Sequence, residues 1–167
     1  MRFPFLMLAV VAALSCTSGT EKKNTSDRDS DQATAVQVNE YPPITLKLSD
    51  GDQVAARDLR GNNVFVLFQP DCSHCQDEAA QVEQRLEEFK DYTLYFISSA
   101  PMSEIEAFAK TYKLQGKQQV KFAWTSTEDV LSHYGAIRTP SVYIYSNGSL
   151  KGSFNGQTDI QNIINAL

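Results

Sequence analysis

The feature that most constrains the fold is an alternation of apolar runs and helical patterns between Tyr41 and Leu167. Residues 64–68 and 94–97 are continuous apolar runs, which are typical of strands buried on both faces of a sheet. Between these runs, apolar residues recur at helical spacing, at Ala79, Val82, Leu86 and Phe89. This alternation predicts an α/β fold in which helices cover both faces of a mixed central sheet.

Two turn signals set the direction of the outer strands. Asp50-Gly51 follows the alternating residues 44–48, which predicts a strand entering a hairpin. Asn147-Gly148 separates residues 141–145 from residues 149–154, and this dipeptide between apolar runs predicts an antiparallel pair. The other predicted elements are helices at 75–90, 105–112 and 126–134, a strand at 121–124, and a last helix capped by Thr158.

Residues 1–16 have the pattern of a targeting segment. Arg2 precedes a run of about a dozen apolar residues, which is too short for a spanning helix of roughly twenty. The run ends in Ala13-Leu14-Ser15-Cys16, which resembles the bacterial lipobox although Ala13 stands where leucine is usual. The alternative is an ordinary cleaved signal peptide with an incidental cysteine. We expect a lipid on Cys16 and a periplasm-facing location in the bacterial cell envelope, where disulfide chemistry is possible.

Residues 17–40 are rich in polar side chains and contain almost no large apolar ones. Such a segment cannot bury enough surface to offset its ordering entropy, so it is predicted to be a disordered tether between Cys16 and the domain at 41–167. The formal net charge of the chain is −5, which argues against nucleic acid or an anionic lipid surface as the main partner. Membrane contact is expected only through the lipid.

The chemistry of the domain is expected at Cys72-Ser73-His74-Cys75, between the most apolar strand and the first long helix. The unpaired N–H groups at a helix N-terminus stabilise a thiolate, which is the attacking species in disulfide exchange. Cys72, at the tip, is the predicted nucleophile, and Cys75, one turn inside, is the predicted resolving thiol. His74 adds a titratable group that favours the Cys72 thiolate and makes a Cys72–Cys75 disulfide more oxidising.

Other uses of this cysteine pair are less well supported. Haem attachment requires a histidine after the second cysteine, and Gln76 is there instead. A four-ligand zinc site needs two more ligands, and the only histidines are His74 and His133. A structural disulfide, a copper chaperone and a redox-sensing binding module stay open, although no Met-rich or His-rich stretch favours copper. We therefore expect no metal ion and no cofactor besides the redox-active cysteine pair.

The sequence from Tyr41 onward resembles the thioredoxin superfamily, and within it the extracytoplasmic TlpA/ResA-like thiol-disulfide oxidoreductases. The opening at 43–62 is similar to that group's N-terminal β-hairpin extension, and Cys72 and Cys75 match the redox pair. Thr139-Pro140 matches the family's Thr–cis-Pro. The resemblance implies that Pro140 faces the disulfide, that Thr139 offers backbone groups to an extended peptide, and that the partners are protein thiols or disulfides and an electron donor or acceptor.

Glu78 follows Cys75 by three residues, where the TlpA/ResA-like group often has a glutamate. A partly buried carboxylate there could accept or return the Cys75 proton. The alternative is that Glu78 faces water from the first helical turns.

This sequence also departs from the family. Asp71 replaces a common tryptophan, Val66 replaces the buried aspartate of cytoplasmic thioredoxins, and Ala80 replaces a helix-kinking proline. These departures leave the direction of electron flow open.

The peroxiredoxins share the expected fold and form a rival class of enzyme. Their peroxidatic cysteine follows a Pro-x-x-x-Thr/Ser-x-x pattern that binds the peroxide. Counting back from Cys72 places Phe65 and Gln69 at those two positions, so the sequence lacks this peroxide site.

Overall fold

The computed structural model describes residues 39–167, which form a seven-stranded sheet and four α-helices. The strands are β1 (Thr45–Leu48), β2 (Gln53–Ala55), β3 (Asn62–Leu67), β4 (Thr93–Ser98), β5 (Val120–Trp124), β6 (Ser141–Ser146) and β7 (Ser149–Asn155). The helices are α1 (Ser73–Gln84), α2 (Met102–Thr111), α3 (Thr127–Tyr134) and α4 (Ile160–Asn165).

The sheet has the order β2-β1-β5-β4-β3-β6-β7. Strands β3, β4 and β5 run parallel to one another, as expected for strands joined by helical crossovers. The hairpins β1–β2 and β6–β7 add antiparallel strands at the two edges. The mixed sheet and the N-terminal hairpin extension predicted from the sequence are therefore confirmed.

The apolar core is divided between the two faces of the sheet. On one face, residues of α1, α2 and α4 pack against alternate residues of β3, including Val64 and Val66. On the other face, Phe65 and Leu67 of β3 pack with Tyr41, with the hairpin and with partly buried residues of α3. Strand β3 is buried on both faces, which explains its continuous apolar sequence.

Several boundaries differ from the predictions, including that of α2, which begins at Met102, three residues before the predicted start at 105. Helix α1 begins at Ser73, not Cys75, because the Cys72 sulfur caps it by accepting from the Cys75 N–H. The α-helix ends at Gln84, and residues 86–89 form a short 3₁₀-helix. The cap of α4 is Asp159, not Thr158, because the Asp159 side chain accepts from the Gln161 N–H at 2.8 Å.

The described chain begins with two residues that the sequence assigned to the tether. Asn39 Nδ2 donates to the Arg57 carbonyl, and the Glu40 N–H donates to the Gly148 carbonyl, each at 2.8 Å. The predicted signal peptide, Cys16 and the tether up to residue 38 lie outside the described residues. None of the helices within residues 39–167 has the length and apolar character needed to cross a bilayer.

Candidate functional site

Cys72 lies at the N-terminus of α1, a few residues beyond the carboxyl end of β3, which is an inner strand of the sheet. Its N–H donates to the Gln69 carbonyl at 3.2 Å, and its own carbonyl accepts from the Gln76 N–H at 3.0 Å. The Cys72 sulfur accepts from the Cys75 N–H at 3.3 Å. A backbone donor therefore already points at the sulfur, as stabilisation of a thiolate at a helix N-terminus requires.

Cys72 and Cys75 are both free thiols in this structure. Only 2% of the surface of Cys75 is exposed. Burial, reinforced by the hydrogen bond with Cys72, raises the pKa of the Cys75 thiol to about 12. Cys72 is half-buried and reaches the surface. The two thiols thus have the unequal exposure expected of a nucleophile and a shielded resolving thiol.

The loop before β6 brings Thr139 and Pro140 to the cysteine pair. The Thr139–Pro140 peptide is cis, as the resemblance implies. The Cys72 thiol donates to the Thr139 carbonyl at 3.5 Å, across a separation of 67 residues in the sequence.

Asn155 braces the loop that carries Thr139 and Pro140. Its Oδ1 accepts from the Arg138 N–H at 2.7 Å and from the Ser141 hydroxyl at 3.3 Å. The Ser141 hydroxyl is also within 2.6 Å of the Arg138 carbonyl. One side chain of β7 thus bridges the two ends of the loop that faces Cys72.

Glu78 is buried one turn after Cys75 on α1, so the interpretation that it faces water is wrong. Within residues 39–167, neither of its carboxylate oxygens has a hydrogen-bond partner. This burial raises the pKa of Glu78 to about 8, because an ionised carboxylate without a partner is costly to bury. Val66, at the position of the thioredoxin aspartate, packs in the same apolar core as Cys75.

The two histidines are on different helices. His74 is exposed on the first turn of α1, and Asp71 is exposed in the loop before it. His133 lies on α3, where its ring packs edge-on against Tyr134, and burial together with the nearby Arg57 charge lowers its pKa. In the described part of the chain, no three His, Cys, Asp or Glu side chains are placed to hold a metal ion.

A small, largely apolar cavity of about 110 Å³ adjoins Thr139. Its lining includes Gln69, in the loop between β3 and α1, and Ser99, directly after β4. Val130, Leu131 and Ile137, in and after α3, line the other side. Leu131, at the rim of this cavity, is 51% exposed. Sequence reasoning missed this cavity because its walls come from four separate segments.

Three solved structures have a fold similar to that of this chain. MTB dsbF aligns with a TM-score of 0.63 and 18% identity, over 77% of this chain and 96% of its own. A secreted Mycobacterium tuberculosis disulfide oxidoreductase homologous to E. coli DsbE aligns with a TM-score of 0.63 and 16% identity, over 74% and 93%. Arabidopsis thaliana ScoI with copper bound aligns with a TM-score of 0.59 and 15% identity, over 75% and 93%.

A search of curated protein sequences found no match. The similarities to solved structures establish a thioredoxin-like fold, in agreement with the resemblance seen in the sequence. The model of the AhpC/TSA family matches residues 38–154, which include both cysteines and Thr139-Pro140. This chain therefore belongs to the AhpC/TSA family.

Proposed function

We propose that this protein is a thiol-disulfide oxidoreductase that exchanges disulfides with protein substrates through Cys72 and Cys75. The observation that carries the proposal is the placement of Cys72. Its sulfur is 3.3 Å from the Cys75 backbone nitrogen and 3.5 Å from the Thr139 carbonyl oxygen. Cys72 caps the N-terminus of α1 and is partly exposed there. An accessible nucleophile, a buried second thiol and a loop beside them are the parts that disulfide exchange requires.

The reaction in the reducing direction has two steps. The Cys72 thiolate attacks one sulfur of the partner's disulfide, so that a mixed disulfide forms and the other partner sulfur leaves as a thiolate. Cys75 then loses its proton and attacks the Cys72 sulfur, which releases the second partner thiol. The partner gains two electrons and the enzyme ends with a Cys72–Cys75 disulfide. The oxidising direction runs through the same steps in reverse.

We assign to Glu78 the role of accepting and returning the proton of the Cys75 thiol. The two side chains are three residues apart on α1, a spacing that places them on the same helical face. In the free enzyme, the hydrogen bond and charge of Cys72 contribute to the raised pKa of Cys75. A mixed disulfide on Cys72 removes both contributions, so deprotonation of Cys75 becomes easier at the moment when it must attack.

The absence of the peroxiredoxin pattern supports disulfide exchange over peroxide reduction. Gln69 stands where that class has Thr or Ser, and its amide is bonded to Ser98 and Ser99. His74, exposed beside the pair, is assigned to favouring the Cys72 thiolate. We place this activity outside the cytoplasm, on a lipid anchor at Cys16, because the N-terminal sixteen residues have the lipoprotein pattern.

The test is a trapping experiment with Cys75→Ala in the full chain. This variant can form the mixed disulfide but cannot resolve it, so we expect covalent complexes with envelope proteins that disappear on reduction. Cys72→Ala is the matched control and should trap nothing. Recovery of no covalent partner, together with no exchange with a model protein disulfide by the wild-type protein, would contradict the proposal. Tight stoichiometric copper binding that is lost in Cys72→Ser would instead favour the chaperone alternative.

A further inference from the structure

Gln69 touches the cysteine pair through its main chain. Its carbonyl accepts from the Cys72 N–H at 3.2 Å, and against the larger rise that burial causes, a backbone hydrogen bond from Gln69 lowers the pKa of the Cys75 thiol. Gln69 belongs to the loop between β3 and α1, so it precedes the helix that carries both cysteines. The position of this one residue therefore affects both thiols.

The Gln69 side chain is bonded away from the cysteines, to the end of the neighbouring strand. Its Oε1 accepts from the Ser98 hydroxyl at 3.3 Å, and its Nε2 donates to the Ser99 hydroxyl at 3.2 Å. Ser98 is the last residue of β4 and is 3% exposed. The amide is thus tied by two hydrogen bonds to residues that lie 29 and 30 positions further along the chain.

The same contacts continue to β5. The Ser99 carbonyl accepts from Trp124 Nε1 at 3.3 Å, and Trp124 is the last residue of β5. The Ser98 hydroxyl also accepts from the Ala100 N–H at 3.2 Å. These hydrogen bonds therefore link the loop between β3 and α1, which carries Gln69, to the carboxyl ends of β4 and β5.

We infer that Gln69 is a positioning residue whose side chain fixes the cysteine loop to β4, so that its main chain holds Cys72 and Cys75 in the geometry for exchange. This inference rests on the proposed function and adds a residue that positions the two cysteines. An amide suits the position because it offers a donor and an acceptor at once, which neither a carboxylate nor a thioether does. Glutamate could accept from both hydroxyls, because the Ser99 hydroxyl can rotate to donate, but it would add a negative charge.

The experiment measures how fast Cys75 resolves a mixed disulfide between glutathione and Cys72, from pH 6 to 10, by acid quench and mass spectrometry. Gln69→Met keeps the length of the side chain and removes both hydrogen bonds. We expect resolution to slow roughly three- to tenfold, the size of effect that one or two such bonds produce, with the pH profile moved upward. Gln84→Met, the same change at an exposed residue of α1, is the control and should leave rate and profile unchanged.

A second variant keeps the inference testable if Gln69→Met does not fold. Ser99→Ala removes one partner of the amide and should slow resolution in the same direction by a smaller factor. A folded Gln69→Met or Ser99→Ala protein with the wild-type rate and pH profile would overturn the inference. Because glutathione is the probe, this result is separate from any failure to trap a protein partner.

Discussion

Glu78 and Cys75 are one helical turn apart on α1 and are equally buried, each with 2% of its surface exposed. Burial raises the pKa of both groups, to about 8 for the carboxyl and about 12 for the thiol. A carboxyl with a pKa near neutral pH can both donate and accept a proton under physiological conditions. Under the proposed function, a carboxyl with this pKa one turn from Cys75 is suited to accept or return the proton of the thiol.

The first prediction concerns stability. In the unfolded chain Glu78 has an ordinary pKa near 4.5, so folding raises this pKa to about 8. The folded state then binds more protons than the unfolded state between these two values, and Glu78 lowers the free energy of unfolding progressively as the pH rises from about 5 to 8. We expect Glu78→Gln to stabilise the protein at pH 8 by a few kcal/mol, because each tenfold change in an ionisation constant corresponds to about 1.4 kcal/mol. The same substitution should have little effect at pH 4.

Urea unfolding at pH 4, 6 and 8 measures this effect. Asp77→Asn is the matched control, because Asp77 is exposed on the same helix and should change the free energy of unfolding little at any of these values. Equal stabilities of Glu78→Gln and wild type at pH 8 would show that the carboxyl is ionised without penalty.

The second prediction concerns the rate of resolution by Cys75. If Glu78 exchanges a proton with this thiol, the wild-type rate should show a transition near pH 8, where the carboxyl titrates. Glu78→Gln removes the transition and should slow resolution roughly a hundredfold, the lower end of the range for a positioned acid–base group. Quenched-flow mass spectrometry of the glutathione mixed disulfide measures both, and an unchanged transition in the variant would remove Glu78 from the reaction.

The third prediction concerns the brace of the Thr139 loop. Asn155→Ala removes the hydrogen bonds to Arg138 and Ser141 that hold the loop facing Cys72. Because Asn155 is exposed, we expect a loss of only about 1 kcal/mol of stability. The rate of exchange with a protein disulfide should fall more than the rate with glutathione, since the loop is assigned to the polypeptide. Asn165→Ala on the exposed side of α4 should change neither rate, and equal losses for both disulfides would contradict the assignment.

The fourth prediction concerns Leu131 at the rim of the apolar cavity beside Thr139. A partner segment lying along this loop would cover the side chain, which is now 51% exposed. Leu131→Glu should therefore slow exchange with protein disulfides roughly three- to tenfold and leave exchange with glutathione unchanged. Leu150→Glu changes the other large apolar side chain that is exposed within residues 39–167, and it should have no effect on either rate. Identical effects of the two substitutions would show that the cavity rim is not in contact with the partner.

Local sequence signals predict the elements that depend on neighbouring residues. The apolar run of β3, the two hairpin turns and the cysteine pair at a helix N-terminus are all visible within about ten residues of sequence. The helical pattern predicts the start of α1 two residues late, because Cys72 takes the capping role usually filled by serine, threonine or aspartate. The cis peptide before Pro140 follows from family resemblance and not from local pattern.

The parts of the site that the sequence leaves open depend on tertiary packing. The position of Glu78, three residues after Cys75, is compatible with a side chain that faces solvent or one that is buried. Only the packing of α1 decides between the two. The role of Gln69 depends on Ser98 and Ser99, about thirty residues away, and that of Asn155 on a loop seventeen residues earlier. A polar residue carries no signal of its partner when the partner is distant in sequence.

The hydrogen bonds at Glu40 fix the point at which the described chain enters the domain. Glu40 is bonded to Gly148 and Leu150 at the turn between β6 and β7, and β6 runs antiparallel to β3, so this turn is beside the start of β3. Cys72 follows the other end of that strand, roughly 20 Å away at about 3.3 Å per residue. The chain thus enters the domain at the pole opposite the reactive sulfur.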